Sequence, residues 1–130
     1  MSRSLARESV FKLVFEYVFN QEKNEILLSE LKDQDKNKEE VGYIEEVYNG
    51  IISHYNELLK EIGGVSSTFK IERIFKVDLA ILLVAIYEIK YIKSIPNIVS
   101  INEALNLAKS YSTEKSHSYI NGILSNFVGE

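Results

Sequence analysis

Apolar residues recur at helical spacing along most of the chain. From Ser4 to Asn20 an apolar side chain returns every three or four residues, which is the period of an α-helix with one buried side. The same period runs from Lys38 to Ile62 and predicts one long helix. Gly63-Gly64 would end that helix, because glycine tolerates the left-handed residue that closes many helices. No segment sustains the alternation of a β-strand, so the pattern predicts an all-α protein.

The segment from Val77 to Tyr91 is apolar almost all round. Such a helix must be enclosed by other helices, which predicts that four of its side chains are buried at the centre of the fold: Leu82, Ala85, Ile86 and Ile89. The apolar run is too short to cross a bilayer, which needs about 20 residues. The segment therefore predicts a central core helix and no membrane span.

The remaining polar and apolar pattern predicts shorter helices on either side of this core. Two lie before it, at 25–31 and 67–75. After it, Ile95-Pro96 breaks the chain, because the residue before proline avoids the α region. Ser100-Ile-Asn-Glu103 has the pattern of a capping box and would start the next helix, ending near residue 111. A last helix is predicted over 113–128, giving six or seven helices around the central one.

Composition and charge narrow the class of protein. The chain has 130 residues and no cysteine, which predicts one domain over residues 1–130 without disulfides. The N-terminus carries no signal-like apolar run, so a cytoplasmic location is expected. The net charge of −4 argues against a nucleic-acid partner. However, nine of the acidic residues lie in the segment 21–46, and the two ends of the chain are neutral or slightly basic. A local RNA surface is therefore permitted.

Catalytic and metal-binding patterns are missing from the sequence. The only histidines, His54 and His117, are far apart, and neither a glycine-rich phosphate loop nor a zinc-protease motif occurs. We therefore expect no enzyme activity, no metal and no cofactor. The acidic pairs Glu39-Glu40 and Glu45-Glu46 are interpreted as the solvated side of a long helix.

Candidate RNA-binding residues lie at both ends of the chain. Arg3 and Arg7 are four residues apart and would share one side of a helix, with Lys12 nearby. Guanidinium groups suit phosphate contact, although a solvated helix side would look the same. Tyr119 follows a polar run at the start of the last helix, where its ring could stack on a base or join the core. A core position is favoured for four other aromatic residues: Phe11, Phe15, Tyr55 and Phe75.

Four motifs in order resemble the NusB family of transcription antitermination factors. They are Ala6-Arg7-Glu8 before the first helix, the core run Asp78-Leu-Ala-Ile-Leu-Leu-Val-Ala-Ile-Tyr-Glu88, the segment Val99-Ser-Ile-Asn-Glu-Ala104, and the closing run Ser116-His-Ser-Tyr-Ile-Asn-Gly-Ile-Leu124. The resemblance covers the whole chain, with weak matching between residues 20 and 70. It implies a non-enzymatic, all-α fold of two helical sub-bundles.

The resemblance also implies partners and a site. Family members bind the single-stranded boxA element of ribosomal RNA transcripts together with the ribosomal protein NusE, within an antitermination complex on RNA polymerase. By position, Glu72 and Asp78 would contact the basic partner. The RNA side would include five residues: Arg3, Arg7, Lys115, Ser118 and Tyr119.

The chain also departs from the family pattern. Ser4, Leu5, Leu79 and Leu83 stand where basic residues are common, so RNA affinity is expected to be weak without the partner. Two alternatives remain open. One is a protein-binding helical adaptor without RNA affinity. The other is the RNA-binding domain of a ribosomal RNA methyltransferase, which has a similar fold and would need a further catalytic domain.

Overall fold

A computed structural model describes residues 1–128 of the chain. This part contains seven α-helices, one 3-10 turn and no strand, which confirms the all-α prediction. The helices are α1 (Arg3–Asn20), α2 (Glu25–Gln34), α3 (Lys38–Ser53), α4 (Tyr55–Val65), α5 (Lys76–Tyr91), α6 (Asn97–Tyr111) and α7 (Ser116–Leu124), with the 3-10 turn at Ile71–Arg73 between α4 and α5. Within residues 1–128, no helix is long and apolar enough to span a membrane.

Helix α5 is the centre of the protein. Every residue from Asp78 to Ile89 is buried, including the four predicted core side chains Leu82, Ala85, Ile86 and Ile89. Helix α5 contacts five of the other helices: α1, α3, α4, α6 and α7. An apolar helix enclosed in this way removes nearly all of its side chains from water, which is the main favourable contribution to folding.

The two ends of α5 carry the two charged residues of the core run, and each end meets different elements. Near its C-terminal end, Glu88 meets Arg7 of α1 and Ser100 of α6. Near its N-terminal end, Asp78 meets Ser112 after α6 and Ser116 of α7. These carboxylates are ten residues apart in one helix, or about 15 Å along its axis at about 1.5 Å per residue.

The prediction of a single helix over 38–62 is wrong, because the helix is interrupted at His54. The backbone there has φ −106° and ψ 17°, and α4 begins at the next residue. The break allows both α3 and α4 to pack against α5, and the ring of His54 stacks on Tyr91 at a centroid distance of 4.5 Å. Gly63-Gly64 does not end the helix as predicted. Both glycines lie inside α4 with negative φ, since no glycine of the described residues has a positive one.

Helix α6 begins earlier than the capping-box prediction required. Asn97 is its first residue, directly after Pro96, whose fixed φ suits a helix start. Ser100 lies within the first turn and donates its hydroxyl to Glu88, while Glu103 accepts from Arg7. The capping-box interpretation is therefore wrong, because both side chains make tertiary contacts instead.

Two other predicted helices are longer than the observed ones. The helix predicted over 67–75 is only the 3-10 turn, and the last helix is shorter than 113–128. Phe75 is 50% exposed, so its predicted core position is wrong, whereas Phe11 and Tyr55 are buried as predicted. Phe15 is half-buried and packs against the core.

Candidate nucleic-acid interface

Arg7 is buried in a polar network at the C-terminal end of α5. Only 3% of the residue is exposed. Its Nε and Nη2 donate to the Glu88 carboxylate at 2.7 and 3.1 Å, and its Nη1 donates to Glu103 at 2.8 Å. Glu88 also accepts from the hydroxyls of Ser100 and Tyr43. The expectation that Arg7 faces solvent for RNA contact is wrong, because a fully buried carboxylate needs a charged partner.

The electrostatics of this network follow from the same burial. Burial lowers the pKa of Arg7, but the hydrogen bond and negative charge of Glu88 outweigh that effect and raise it overall. Burial, and then the charge of Glu88, raise the pKa of Tyr43. Arg7 therefore stays charged and Tyr43 stays protonated at neutral pH. The network connects α1, α3, α5 and α6.

Arg3 is accessible but paired. Its Nε donates to Glu40 at 2.5 Å, its guanidinium carbon lies 4.3 Å from the centre of the Tyr43 ring, and one third of its side chain is exposed. Glu40 is buried by this contact, so its predicted place on a solvated helix side is wrong. Because Glu40 neutralises Arg3, the N-terminal end of α1 offers little free positive charge.

Lys12 lies away from these arginines, beside an apolar groove. It is exposed, and its ammonium lies 5.7 Å from the centre of the Tyr111 ring. The groove has a volume of about 250 Å³, and Lys12 lines it together with Phe11, Phe15, Val77 and Tyr111. Since Val77 is in the first turn of α5, the groove is at the N-terminal end of that helix.

Three predicted RNA-binding residues lie together at the start of α7. Lys115 and Ser118 are exposed, and Tyr119 is half-buried. The Tyr119 hydroxyl lies 2.9 Å from Ser66 Oγ, and its ring meets Phe69 edge-on at a centroid distance of 5.5 Å. Burial raises the pKa of Tyr119. The ring is held by its neighbours, and the residue keeps part of its surface accessible.

The two acidic residues predicted to meet a partner are placed very differently. Glu72 is exposed in the 3-10 turn. Asp78 is 5% exposed and accepts from the hydroxyls of Ser112 and Ser116 at 2.5 and 3.0 Å. The expectation that Asp78 offers its carboxylate to a partner is wrong, because that carboxylate fixes the start of α7 against α5.

The predicted RNA-binding residues do not form one exposed cluster. Arg3 and Arg7 belong to the C-terminal end of α5, near Glu88, whereas Lys115 and Tyr119 belong to the other end, near Asp78. The two ends are separated by about 15 Å along the helix axis. Of the two groups, only the one on α7 combines an unburied cation with an accessible ring.

Sequence reasoning missed the partners of the buried charges. Glu88 was visible as a charged residue inside an otherwise apolar helix, and such a residue requires a partner. That signal could have assigned Arg7 to the core, but nothing local identified Glu103, Ser100 or Tyr43 as the remaining members. Ser66 and Phe69, which hold Tyr119, gave no signal at all.

No metal-binding arrangement is found among residues 1–128. That part of the chain has no group of three or more His, Cys, Asp and Glu side chains able to hold a metal, and none of its fully buried side-chain polar atoms lacks a hydrogen-bond partner. His54 is paired with Glu57 at 3.2 Å. The fold and its exposed cations and rings define a helical binding factor.

Comparison with known proteins identifies the family. Residues 4–129 match the NusB family. The chain is 39% identical to the transcription antitermination protein NusB of Clostridium novyi, with 98% of each chain covered. It is 43% identical to the NusB protein of Agathobacter rectalis, covering 98% of this chain and all of that protein. The chain belongs to the NusB family of non-enzymatic transcription antitermination factors.

Solved structures agree in fold. NusB of T. maritima matches with a TM-score of 0.85 at 30% identity, covering 98% of this chain and 90% of the other. The solution structure of NusB from Aquifex aeolicus matches with a TM-score of 0.77 at 24% identity, covering 96% and 86%. The arrangement of helices around α5 is therefore shared with these proteins.

Proposed function

We propose that this protein binds the single-stranded boxA element of ribosomal RNA transcripts together with the ribosomal protein NusE. It would act in the cytoplasm, as a single RNA-binding domain over residues 1–130, within an antitermination complex on RNA polymerase. The observation that carries the proposal is the group at the start of α7. There Lys115, Ser118 and the ring of Tyr119 lie together in the run that resembles the family's closing motif.

The distribution of charge indicates that RNA binding by the protein alone is weak. Arg7 is enclosed, Arg3 is neutralised by Glu40, and the net charge is −4. Few phosphates can then be neutralised by the N-terminal end of α1. A basic partner would add its own cations and extend the path available to RNA, so RNA and NusE are expected to bind cooperatively.

A surface suited to a protein partner lies at the N-terminal end of α5. The groove of Phe11, Phe15, Val77 and Tyr111 is apolar and carries Lys12 at its edge. Apolar and aromatic side chains that remain accessible are typical of the centre of protein interfaces. We assign this groove to the contact with NusE, in place of the buried Asp78.

The test is a titration of labelled boxA RNA and scrambled RNA by fluorescence anisotropy, with and without NusE. We expect weak binding alone and tighter, boxA-selective binding with NusE. If about three cations contact phosphates, the log–log salt slope should be near −2, from about −0.7 per contact on a single strand. Equal affinity for the two RNAs in the presence of NusE would contradict the proposal.

Tyr119 provides a matched pair of variants for the same titration. Tyr119→Ala should weaken RNA binding by roughly 1–3 kcal/mol if the ring stacks on a base. Tyr119→Phe keeps the ring and loses only the hydroxyl contact with Ser66, so it should retain most of the affinity. Equal losses in the two variants would assign the effect to the hydroxyl and exclude stacking.

The second candidate function is a helical adaptor that binds protein and lacks RNA affinity. The enclosure of Arg7 and the pairing of Arg3 favour it, because they remove two of the predicted RNA contacts. The titration separates the two functions. An adaptor would bind NusE with the same affinity whether or not boxA RNA is present, since a coupling free energy must be reciprocal.

A further inference from the structure

The connection between α4 and α5 carries a cluster of exposed cations and rings. In residues 69–76, here called the 69–76 segment, Phe69 is 44% exposed and Phe75 is 50% exposed. Lys70 and Arg73 are also exposed, and Lys76 is partly so. Glu72 is the only acidic residue of the segment. Among the described residues, none of these three cations takes part in a salt bridge, unlike Arg3 and Arg7.

A backbone hydrogen bond of the 3-10 turn connects two of these cationic residues. The Arg73 amide donates to the Lys70 carbonyl at 2.8 Å and closes the turn. Lys70 is the extended residue directly before the turn, and Arg73 is the last residue of the turn. Ile74 is buried in the core and Ile71 packs against it. The isoleucines anchor the segment while the cations remain in water.

The 69–76 segment is joined to the start of α7. Ser66 Oγ contacts both the Phe69 carbonyl, at 2.7 Å, and the Tyr119 hydroxyl, at 2.9 Å. The rings of Phe69 and Tyr119 meet edge-on. Beside them lies a groove of about 380 Å³ whose lining includes the hydroxyl side chains of Ser67, Thr68 and Ser118. Two aromatic rings, several hydroxyls and unpaired cations therefore adjoin one another.

We propose that the 69–76 segment is the main phosphate-binding element of this protein for single-stranded RNA. Lys70 and Arg73 neutralise phosphates, and Phe69 with Tyr119 forms a stacking surface for a base. This inference rests on the proposed function and gives it a location. Cations beside aromatic rings are the combination that single-stranded nucleic acid requires, and the hydroxyls of the adjoining groove can bond sugar and phosphate oxygens.

This location also explains how RNA can bind although the arginines at the C-terminal end of α5 are engaged in ion pairs. The guanidinium of Arg7 is engaged by Glu88 and Glu103, and that of Arg3 by Glu40. The unpaired cations of the 69–76 segment lie instead at the N-terminal end of α5, where α7 begins. RNA would then be bound at that end, about 15 Å along α5 from Arg7.

The test uses two sets of variants of the full chain with boxA RNA and oligo-uridine as probes. Lys70→Ala with Arg73→Ala removes two of these unpaired cations. Lys32→Ala with Lys36→Ala changes the net charge equally, on and after α2. We expect the first double variant to make the log–log salt slope shallower by about 1.4, from about 0.7 per phosphate contact. The second should leave the slope unchanged.

Phe69 tests the stacking surface separately. Phe69→Ala should weaken binding by about 5- to 100-fold, which corresponds to the loss of one base–ring stack. Phe69→Tyr keeps the ring and should bind as well as the parent chain. Photo-crosslinking of 4-thiouridine RNA to the unmodified protein gives a readout that does not depend on folding of a variant. We expect crosslinks in the peptide that contains residues 66–76.

The outcomes separate this inference from the proposed function. An unchanged salt slope in the Lys70/Arg73 variant, with boxA selectivity retained, would overturn the inference and leave the proposed function standing. The inference would also fail if that variant lost NusE binding while its RNA slope stayed the same, since the segment would then be a protein surface. Absence of RNA binding by the parent chain, with and without NusE, would overturn both.

Discussion

Replacing Arg7 by alanine tests whether this residue is structural or contacts RNA. The substitution removes three hydrogen bonds and leaves the fully buried Glu88 without its counter-charge. Breaking a buried ion pair by removing one partner costs about 3–5 kcal/mol. Because small proteins are stable by only about 5–15 kcal/mol, this is a large share of the whole. We therefore expect Arg7→Ala to be among the most destabilising substitutions in α1.

Urea denaturation followed by circular dichroism at 222 nm measures this change. Arg3→Ala is the matched control, because Arg3 also forms an ion pair from α1 but has one third of its side chain exposed. Its cost should be smaller than that of Arg7→Ala, because one third of the Arg3 side chain stays in contact with water. The double substitution Arg7→Met with Glu88→Leu should recover much of the loss, since it removes both charges and fills similar volume.

The same variants distinguish a structural Arg7 from an RNA-binding one. A structural role predicts a large loss of unfolding free energy in Arg7→Ala and an unchanged salt slope for RNA in the folded fraction. A cost below about 1 kcal/mol, together with a slope shallower by about 0.7, would show that Arg7 contacts a phosphate and would refute the burial argument.

Four further substitutions test the core and its surroundings. Leu82→Ala should cost roughly 2–5 kcal/mol, because it opens a cavity in a fully buried position of α5; a cost below about 0.5 kcal/mol would contradict its burial. A methyl group at Gly50 would overlap the phenol of Tyr87, so Gly50→Ala should destabilise by about 1–3 kcal/mol. Gly42→Ala in the same helix meets nothing and should stabilise by about 0.5–1 kcal/mol; equal effects in a denaturant titration would contradict the close approach. The raised pKa of Tyr43 means that the unfolded chain loses this proton first. Stability should therefore fall as the pH rises above about 10, and Tyr43→Phe should reduce that slope by up to about 1.4 kcal/mol per pH unit.

Sequence reasoning correctly predicted those parts of the fold for which only one arrangement is stable in water. A helix that is apolar on all sides can be stable in water only when it is enclosed, so the burial of α5 followed from its composition alone. The break at His54 could not be found in the same way. Apolar spacing continues across it, neither proline nor glycine occupies the position, and the two segments separate because both pack against α5.

Local motifs failed where tertiary contacts competed for the same side chains. Ser100 and Glu103 have capping-box spacing, but Glu88 and Arg7 bind them instead. Arg7 and Arg3 have the spacing of one exposed helix side, yet a buried carboxylate on a distant helix engages Arg7. Sequence spacing shows which residues share one side of a helix. It does not show which residues that side contacts in the folded protein. Of the predicted RNA-binding residues, Lys115 and Ser118 at the start of α7 remain exposed.

The proposed sites for RNA and for the protein partner both belong to the N-terminal end of α5. The apolar groove includes Val77 in the first turn of that helix, and Asp78 fixes the start of α7 through Ser112 and Ser116. The residue next in the chain before Val77 is Lys76, the last of the 69–76 segment. A partner bound in the groove would therefore lie next to the proposed RNA path. Its effect on RNA binding would need no conformational change of this protein. Basic residues of the partner would then act on the same RNA strand, and the coupling would arise from shared phosphates. Such coupling weakens as salt screens the charges, whereas coupling through a rearranged core would persist, so the salt dependence of cooperativity distinguishes the two.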